Sequence, residues 1–180
     1  MGRDKAFLQL GNETLLARSL KLARALSERV SILGDKSKFA SFAPVLEDVY
    51  RDSGPLGGIH AALSSTAAEL NLMLAVDLPF LELSFLESLI VEAKKADAMV
   101  TVPRAGGGFQ PLCAVYRREF AALADEALRS HRNKIDLLFL DISLRVIEEE
   151  ELKRAGFSAE MFRNVNTPQD HEDALRKIGR

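Results

Sequence analysis

One apolar run limits the fold of this chain more than any other segment. "LNLMLAV" is almost wholly apolar from Leu70 to Val76, Asp77 follows it directly, and Pro79 comes two positions later. A run without regular polar alternation is typical of a strand that is covered on both faces. We therefore predict a buried strand of an α/β sheet that ends at Asp77.

Short apolar segments alternate with amphipathic ones along the rest of the chain. The predicted strands are "RVSIL", "PVLED", "DAMVTV", "LCAVY" and "SLRVIEE". The predicted helices include "GGIHAALSST", "EFAALADEALRS", one opened by a capping box of Ser84 and Glu87, and a last one with Thr167 as its N-cap. Alternation of strand and helix predicts a doubly wound α/β sheet.

Composition narrows the function classes. With 180 residues, 47% of them hydrophobic, and a net charge of −2, the chain suits one domain with a substantial core. There is no basic surplus for nucleic acid and no apolar run long enough to cross a membrane. The start does not resemble a signal peptide, so we expect a cytoplasmic protein. The single cysteine, Cys113, is expected to lie in the core.

Three polar segments follow predicted strands or precede helices, where doubly wound sheets bind ligands. Asp77 could hold Mg²⁺ through its carboxylate, or it could simply begin a turn. "LEDVYRDSGPLGG" could bring a helix N-terminus to a phosphate or a polar ring edge, or it could be a plain turn. Lys5 could neutralise triphosphate oxygens, or it could be a solvated lysine.

Two weaker candidates are amides. Gln110 ends the glycine-rich loop "GGGFQ", and Asn164 and Asn166 lie just ahead of the last helix. Turn chemistry is the alternative interpretation for all three. His60 lies among alanines, so we expect it to have a packing role.

The order of these segments resembles one family. "MGRDKAFLQLGNETLL", "LEDVYRDSGPLGGIHAAL", "AVDLPFL", "FQPLCAVYRR" and "NVNTPQD" follow one another as in the molybdenum cofactor guanylyltransferases, the MobA family. The resemblance implies transfer of GMP from GTP to molybdopterin, with Mg²⁺ and release of pyrophosphate. It also implies a Rossmann-like three-layer α/β sandwich of the nucleotide-diphospho-sugar transferase type.

The same resemblance implies roles for individual residues. Lys5 would contact the GTP phosphates, Asp48 would help to hold the nucleotide, and Asp77 would bind Mg²⁺. The loop near the guanine would comprise Gly54, Pro55, Leu56 and Gly58. The pterin side would comprise Gln110, Asn164 and Asn166. The "ILGD" segment departs from relatives that carry Asn after the second strand, which leaves a nucleotide contact from Gly34 or Asp35 open.

A second departure concerns the first strand. The family signature runs from a strand through Leu-Ala-Gly-Gly into Arg-Met-Gly-x-Asp-Lys, and this chain begins at the Met of that signature. We therefore expect residues 1–180 to form a single, N-terminally truncated nucleotidyltransferase domain with the first strand missing. A start codon placed too far downstream, or a truncated gene, would explain this.

The implied partners are GTP, molybdopterin, and proteins that deliver molybdopterin or mature molybdoenzymes. Three alternatives stay open. The first is a relative that uses CTP, the second is a non-catalytic domain that binds nucleotide or pterin, and the third is a sugar-phosphate nucleotidyltransferase. The short chain and its "NVNTPQD" ending count against the third.

Overall fold

Strands and helices alternate along the chain, as the sequence predicts. The computed structural model describes residues 4–50 and 52–178. The strands are β1 Gln9–Leu10, β2 Glu13–Thr14, β3 Ile32–Leu33, β4 Val45–Leu46, β5 Leu70–Leu74, β6 Val100–Ala105, β7 Gly108–Phe109, β8 Cys113–Arg117 and β9 Leu144–Ile147. The α-helices are α1 Leu15–Leu26, α2 Lys36–Phe39, α3 Gly54–Ser64, α4 Leu83–Lys95, α5 Phe120–Arg129, α6 Ile135–Leu138, α7 Glu149–Arg154 and α8 Pro168–Ile178. Short 3-10 turns lie at Lys5–Phe7, Phe139–Asp141 and Ala159–Phe162.

The main sheet has the order β5-β8-β6-β7, and β9 pairs with β6. β8 is antiparallel to both β5 and β6, whereas β9 is parallel to β6. β5, β6 and β9 therefore run in the same direction and end at the same edge of the sheet. Polar residues that follow these three strands are consequently brought to one side of the molecule.

Helices cover both faces of this sheet. On β8, Ala114 and Tyr116 face a cluster with Leu56 and Ile59 of α3 and Phe120 of α5. The alternate residues Cys113 and Val115 face a second cluster with Phe85, Leu86 and Leu89 of α4. Because strand side chains alternate between faces, one strand contributes to both clusters. The result is the three-layer α/β sandwich that the family resemblance implied.

A second, parallel sheet consists of β3 and β4 alone. The N–H groups of Ile32 and Gly34 donate to carbonyls in and beside β4, so the backbone of Leu33 between them faces the other way. On β5, Ala75 N–H donates to Leu112, which places the backbone groups of alternate residues on the edge opposite β8. Those residues are Leu70, Leu72 and Leu74. Within the described ranges, no strand pairs with that edge of β5 or with the outer edge of β3.

β3 and β5 nevertheless share their surroundings. Val76, two residues after β5, packs in one apolar cluster with Ile32 and Val45. Helix α1 contacts both parts, because Leu16 and Leu20 belong to that cluster while Leu22 packs beside β5. The two sheets are therefore separate in hydrogen bonding and continuous in packing.

Three expectations need correction. "LNLMLAV" forms a strand, but Met73 is the only buried residue of β5. The edge of β5 opposite β8 has no partner strand in the described chain, which leaves the other side chains of β5 partly exposed. The capping box at Ser84 is wrong, because α4 begins one residue earlier, at Leu83. Gly54, Pro55, Leu56 and Gly58, expected in a loop, lie in the first turns of α3.

Two other expectations are confirmed. Cys113 is fully buried, and burial raises the pKa of its thiol to about 12, which suits a core residue. Thr167 caps α8, since its hydroxyl accepts from the N–H of Asp170. Among residues 4–50 and 52–178, none of the helices combines the length and apolarity that a bilayer span requires.

Candidate active site

Asp77 lies three residues beyond β5, at the edge where the parallel strands of the main sheet end. Its carbonyl accepts from Val165 N–H at 3.0 Å, and the Nε of Arg18 donates to the Pro79 carbonyl at 2.5 Å. One contact comes from the segment before α8 and the other from α1, and together they hold the "DLP" turn in place. The half-buried Asp77 carboxylate makes no hydrogen bond or ion pair with any other described residue. It is therefore available to a cation.

Lys5 and Asn166 meet beside this turn. Lys5 opens a short 3-10 turn that Asp4 caps, and its Nζ donates to Oδ1 of Asn166 at 2.5 Å. Asp170 holds the other partner in place, because Oδ2 of Asp170 accepts from Asn166 N–H at 3.1 Å. An amide oxygen is uncharged, so the lysine keeps its full positive charge for an anionic ligand.

Since Val165 bonds to Asp77, the segment from Asn164 to Asn166 runs directly beside the aspartate. Lys5, Asp77 and the pair Asn164 and Asn166 thus form one group, although these three parts of the chain are far apart in sequence. Asn164 is exposed and has no hydrogen-bond partner among the described residues. A carboxylate without a partner in the described chain, a hydrogen-bonded ammonium group and an exposed amide therefore lie at one sheet edge.

Asp48 and the start of α3 form a second group. A Cβ built on Gly57 would lie 3.7 Å from Oδ2 of Asp48, and one on Gly58 would lie 3.7 Å from Oδ1. The carboxylate therefore lies over the first turns of α3. Partial burial there raises the pKa of Asp48. No described residue offers it a hydrogen bond or an ion pair.

The other residues predicted on α3 differ in what they can contact. Gly54 and Pro55 are exposed, and Gly54 has a φ of 62°, which favours glycine. Leu56 is completely buried in the core cluster below α3. Its side chain is therefore a packing group, and only its backbone could reach a ligand.

Gln110 belongs to the same sheet edge as Asp77 through the pairing of β5 and β8. Its Nε2 donates to the Ala105 carbonyl at 3.1 Å, which closes the loop around Gly106 and Gly107. The amide nitrogen thus has the turn role that the sequence left open. Asp35 likewise acts locally, since it caps α2 by accepting from Ser37 N–H at 2.8 Å.

Three residues near the site were missed from sequence. Arg18 contacts the Asp77 turn because α1 passes beside that turn. No pattern in the sequence around Arg18 predicts this contact. Gly57 lies inside the quoted "GPLGG", and a Cβ there would come 3.1 Å from the Tyr50 carbonyl. Tyr50 itself lies in the loop after Asp48, where an aromatic residue amid charged ones was a signal that could have been used.

The metal-binding capacity of the site is small. No group of three or more His, Cys, Asp or Glu residues comes together among the residues described. Asp77 therefore fits a cation that takes most of its ligands from water and substrate phosphates, as Mg²⁺ does. It does not fit a metal held in an all-protein cage.

Comparison with known proteins assigns the chain to a family. Residues 1–139 match the MobA-like NTP transferase domain. The chain belongs to this family. A probable molybdenum cofactor guanylyltransferase of Pelotomaculum thermopropionicum is 32% identical over 172 residues, covering 94% of this chain and 83% of the relative. Another, of Clostridium perfringens, is 28% identical over 181 residues, covering 97% and 89%.

Solved structures agree on the fold. Molybdopterin-guanine dinucleotide biosynthesis protein A from Archaeoglobus fulgidus superimposes with a TM-score of 0.81 at 22% identity, covering 99% of this chain and 92% of that one. The 2-C-methyl-D-erythritol 4-phosphate cytidylyltransferase of Thermus thermophilus gives 0.71 at 18% identity, covering 98% and 94%. The predicted α/β nucleotidyltransferase fold and the family resemblance are both confirmed.

Proposed function

We propose that this MobA-like NTP transferase transfers GMP from GTP to molybdopterin and releases pyrophosphate. The names of its curated relatives support the reaction, since several are molybdenum cofactor guanylyltransferases aligned along nearly the whole chain. The contact between Lys5 and Asn166 carries the assignment to this site. The resemblance implies a role on the GTP side for Lys5 and on the pterin side for Asn166, and the two substrates must meet where a phosphate is transferred.

In this reaction a phosphate oxygen of molybdopterin attacks the α-phosphorus of GTP. A new P–O bond forms, the bond between the α- and β-phosphates breaks, and pyrophosphate leaves with the bonding electron pair. We infer that Lys5 offsets the negative charge that grows on the transferred phosphate and on the leaving group. Asn166 keeps the ammonium group aimed at that point, and Asn164 offers an amide to the pterin side. Catalysis then rests on positioning and electrostatics.

We propose Asp77 as the protein ligand of the divalent metal that this kind of nucleotidyltransferase uses, and Mg²⁺ as that metal. Bound there, Mg²⁺ would supply charge neutralisation to the phosphate oxygens. The free carboxylate, the turn fixed by Arg18, and the absence of a protein cage within the described ranges all fit such an ion. Asp48, with the backbone of the exposed Gly54 and Pro55 and of the half-buried Gly58, would hold the nucleotide.

Turnover with two nucleotides tests the proposal. The purified chain is supplied with molybdenum-loaded molybdopterin, Mg²⁺, and either GTP or CTP, and the dinucleotide product is separated by chromatography. We expect a guanine dinucleotide and one pyrophosphate per turnover with GTP, and little product with CTP. Equal or better use of CTP would instead support the cytidylyl alternative. Calorimetric binding of Mg-GTP without turnover would support the non-catalytic alternative.

We also propose that residues 1–180 form a single domain whose sheet accepts one more strand, between β3 and β5. The outward-facing backbone of Leu33 and the unpaired edge of β5 support this, as does the packing that the two strands share. A chain extended ahead of Met1 by an apolar strand followed by Ala-Gly-Gly should melt at a higher temperature and bind Mg-GTP more tightly than residues 1–180. Equal melting and equal binding would contradict the proposal.

A further inference from the structure

Tyr50 ties the segment before α3 to a different helix. It lies between Asp48 and Gly54, and its hydroxyl donates to Oδ1 of Asp125 on α5 at 2.6 Å. This is a contact across 75 positions of the chain, between a loop and a core helix. Asp125 is half-buried, so the bond is partly shielded from water.

Two further side chains lie beside the Asp125 carboxylate that accepts this bond. The Nε of Arg129 lies 2.8 Å from Oδ2 of Asp125, and Nε2 of His60 lies 3.7 Å from Oδ1. The hydrogen bond from Tyr50 is the main reason that the pKa of Asp125 is lowered, so the carboxylate is ionised at neutral pH. Hydrogen bonds to an ionised acceptor are stronger and shorter than neutral ones. The ring of Tyr50 also packs edge-on against that of His60, with centroids 5.3 Å apart.

Tyr50 is coupled to the nucleotide-binding groups through Gly57. The position of a Cβ on Gly57 lies 3.1 Å from the Tyr50 carbonyl and 3.7 Å from the Asp48 carboxylate. Moving Tyr50 therefore moves the backbone that packs on α3, and Asp48 with it. Asp48 has no hydrogen bond of its own to hold it among the described residues.

We propose that Tyr50 and Asp125 are positioning residues: their hydrogen bond holds residues 47–50 so that Asp48 and the start of α3 present one preformed nucleotide site. The inference rests on the proposed function, because it names what keeps that site in shape. Neither residue belongs to the group around Lys5 and Asp77 to which we assign the reacting phosphates, so their effect should fall on nucleotide binding and not on the chemical step.

The test uses Tyr50→Phe, Asp125→Ala, and the double variant in the full chain. Each single change should raise the KM for GTP about five- to tenfold and leave kcat and the KM for the pterin within about twofold. The double variant should resemble either single one, because both remove the same bond. Glu126→Gln is the matched control: it removes a carboxylate from the next position of α5, whose only ion pair is with Arg132 within the described chain, and it should behave as the unaltered protein.

Hydrogen–deuterium exchange of the peptide 47–58 gives a readout that does not need turnover. Exchange should quicken in the Tyr50 and Asp125 variants and stay unchanged in Glu126→Gln. Unchanged exchange in Tyr50→Phe, or a loss confined to kcat or to the melting temperature, would overturn the inference. If the unaltered chain fails to use GTP, the proposed function falls, and the exchange result still decides whether Tyr50 and Asp125 hold the loop.

Discussion

The Nζ of Lys5 lies 2.5 Å from Oδ1 of Asn166, although 161 positions separate the two residues. Lys5 stands on the N-terminal 3-10 turn, and Asn166 stands two residues before α8. Their contact therefore joins the N-terminal and C-terminal parts of the described chain at the candidate site. Asp77 lies next to it, because Val165 bonds to the aspartate's own carbonyl.

Replacing Lys5 should lower kcat more than replacing Asn166. In Lys5→Ala we expect kcat to fall about 100- to 1,000-fold, because one charged group directed at the transition state is lost. Asn166→Ala should lower kcat about tenfold, since the ammonium group survives but is no longer held. Steady-state kinetics of pyrophosphate release measure both. Lys94→Ala, a change at an exposed lysine of α4, is the control and should leave kcat unaltered. Full activity in Lys5→Ala would refute the role of Lys5.

The metal assignment predicts a selective loss in Asp77→Asn. The variant should melt within about 1 °C of the unaltered chain, since the carboxylate has no partner in the described structure to lose. Its activity at saturating GTP should fall about 100-fold or more, and excess Mg²⁺ should restore part of it. The same change at the exposed Asp97 is the control. A variant with ordinary Mg²⁺ dependence and ordinary activity would exclude Asp77 as the ligand.

The Asp48 carboxylate should lower the stability of the fold at neutral pH and raise its affinity for Mg-GTP. Partial burial raises its pKa above the ordinary 3.8, so the folded chain holds this proton more tightly than the unfolded chain does. The group thus favours folding below pH 3.8, and that contribution is lost as the pH rises through the folded pKa. Asp48→Asn should therefore be at least as stable as the unaltered chain at pH 7, while its affinity for Mg-GTP falls.

Urea unfolding at pH 4 and pH 7, with calorimetric titration of Mg-GTP, checks this pair of effects. The stability gained by Asp48→Asn should be larger at pH 7 than at pH 4. A variant that is less stable at pH 7 would mean that the carboxylate makes a stabilising contact, contrary to its isolated position.

Gly57 should tolerate substitution poorly. A Cβ would come 3.1 Å from the Tyr50 carbonyl and 3.2 Å from the Cβ of Ser53, so the loop before α3 would have to shift. In Gly57→Ala we expect a loss of about 1–2 kcal/mol in the free energy of unfolding and a higher KM for GTP. Gly108→Ala is the matched control, because a Cβ there meets nothing within 4 Å. Equal stability of the two variants by chemical denaturation would contradict the prediction.

The alternating apolar and amphipathic segments were enough to predict the α/β class, since periodicity depends on nearest neighbours along the chain. The Asp77 strand, the Thr167 cap, and the buried Cys113 followed from local pattern in the same way. The order of five motifs predicted the family, and the comparisons confirm it.

Tertiary structure alone decided which residues meet. Three hydrogen bonds join segments that are distant in sequence. They link Lys5 to Asn166, Arg18 to the Asp77 turn, and Tyr50 to Asp125. No local pattern encodes such contacts, because they depend on how helices cross a finished sheet. The same reason explains the half-buried β5: its side chains are apolar enough for a central strand, but burial also requires a neighbour on each edge.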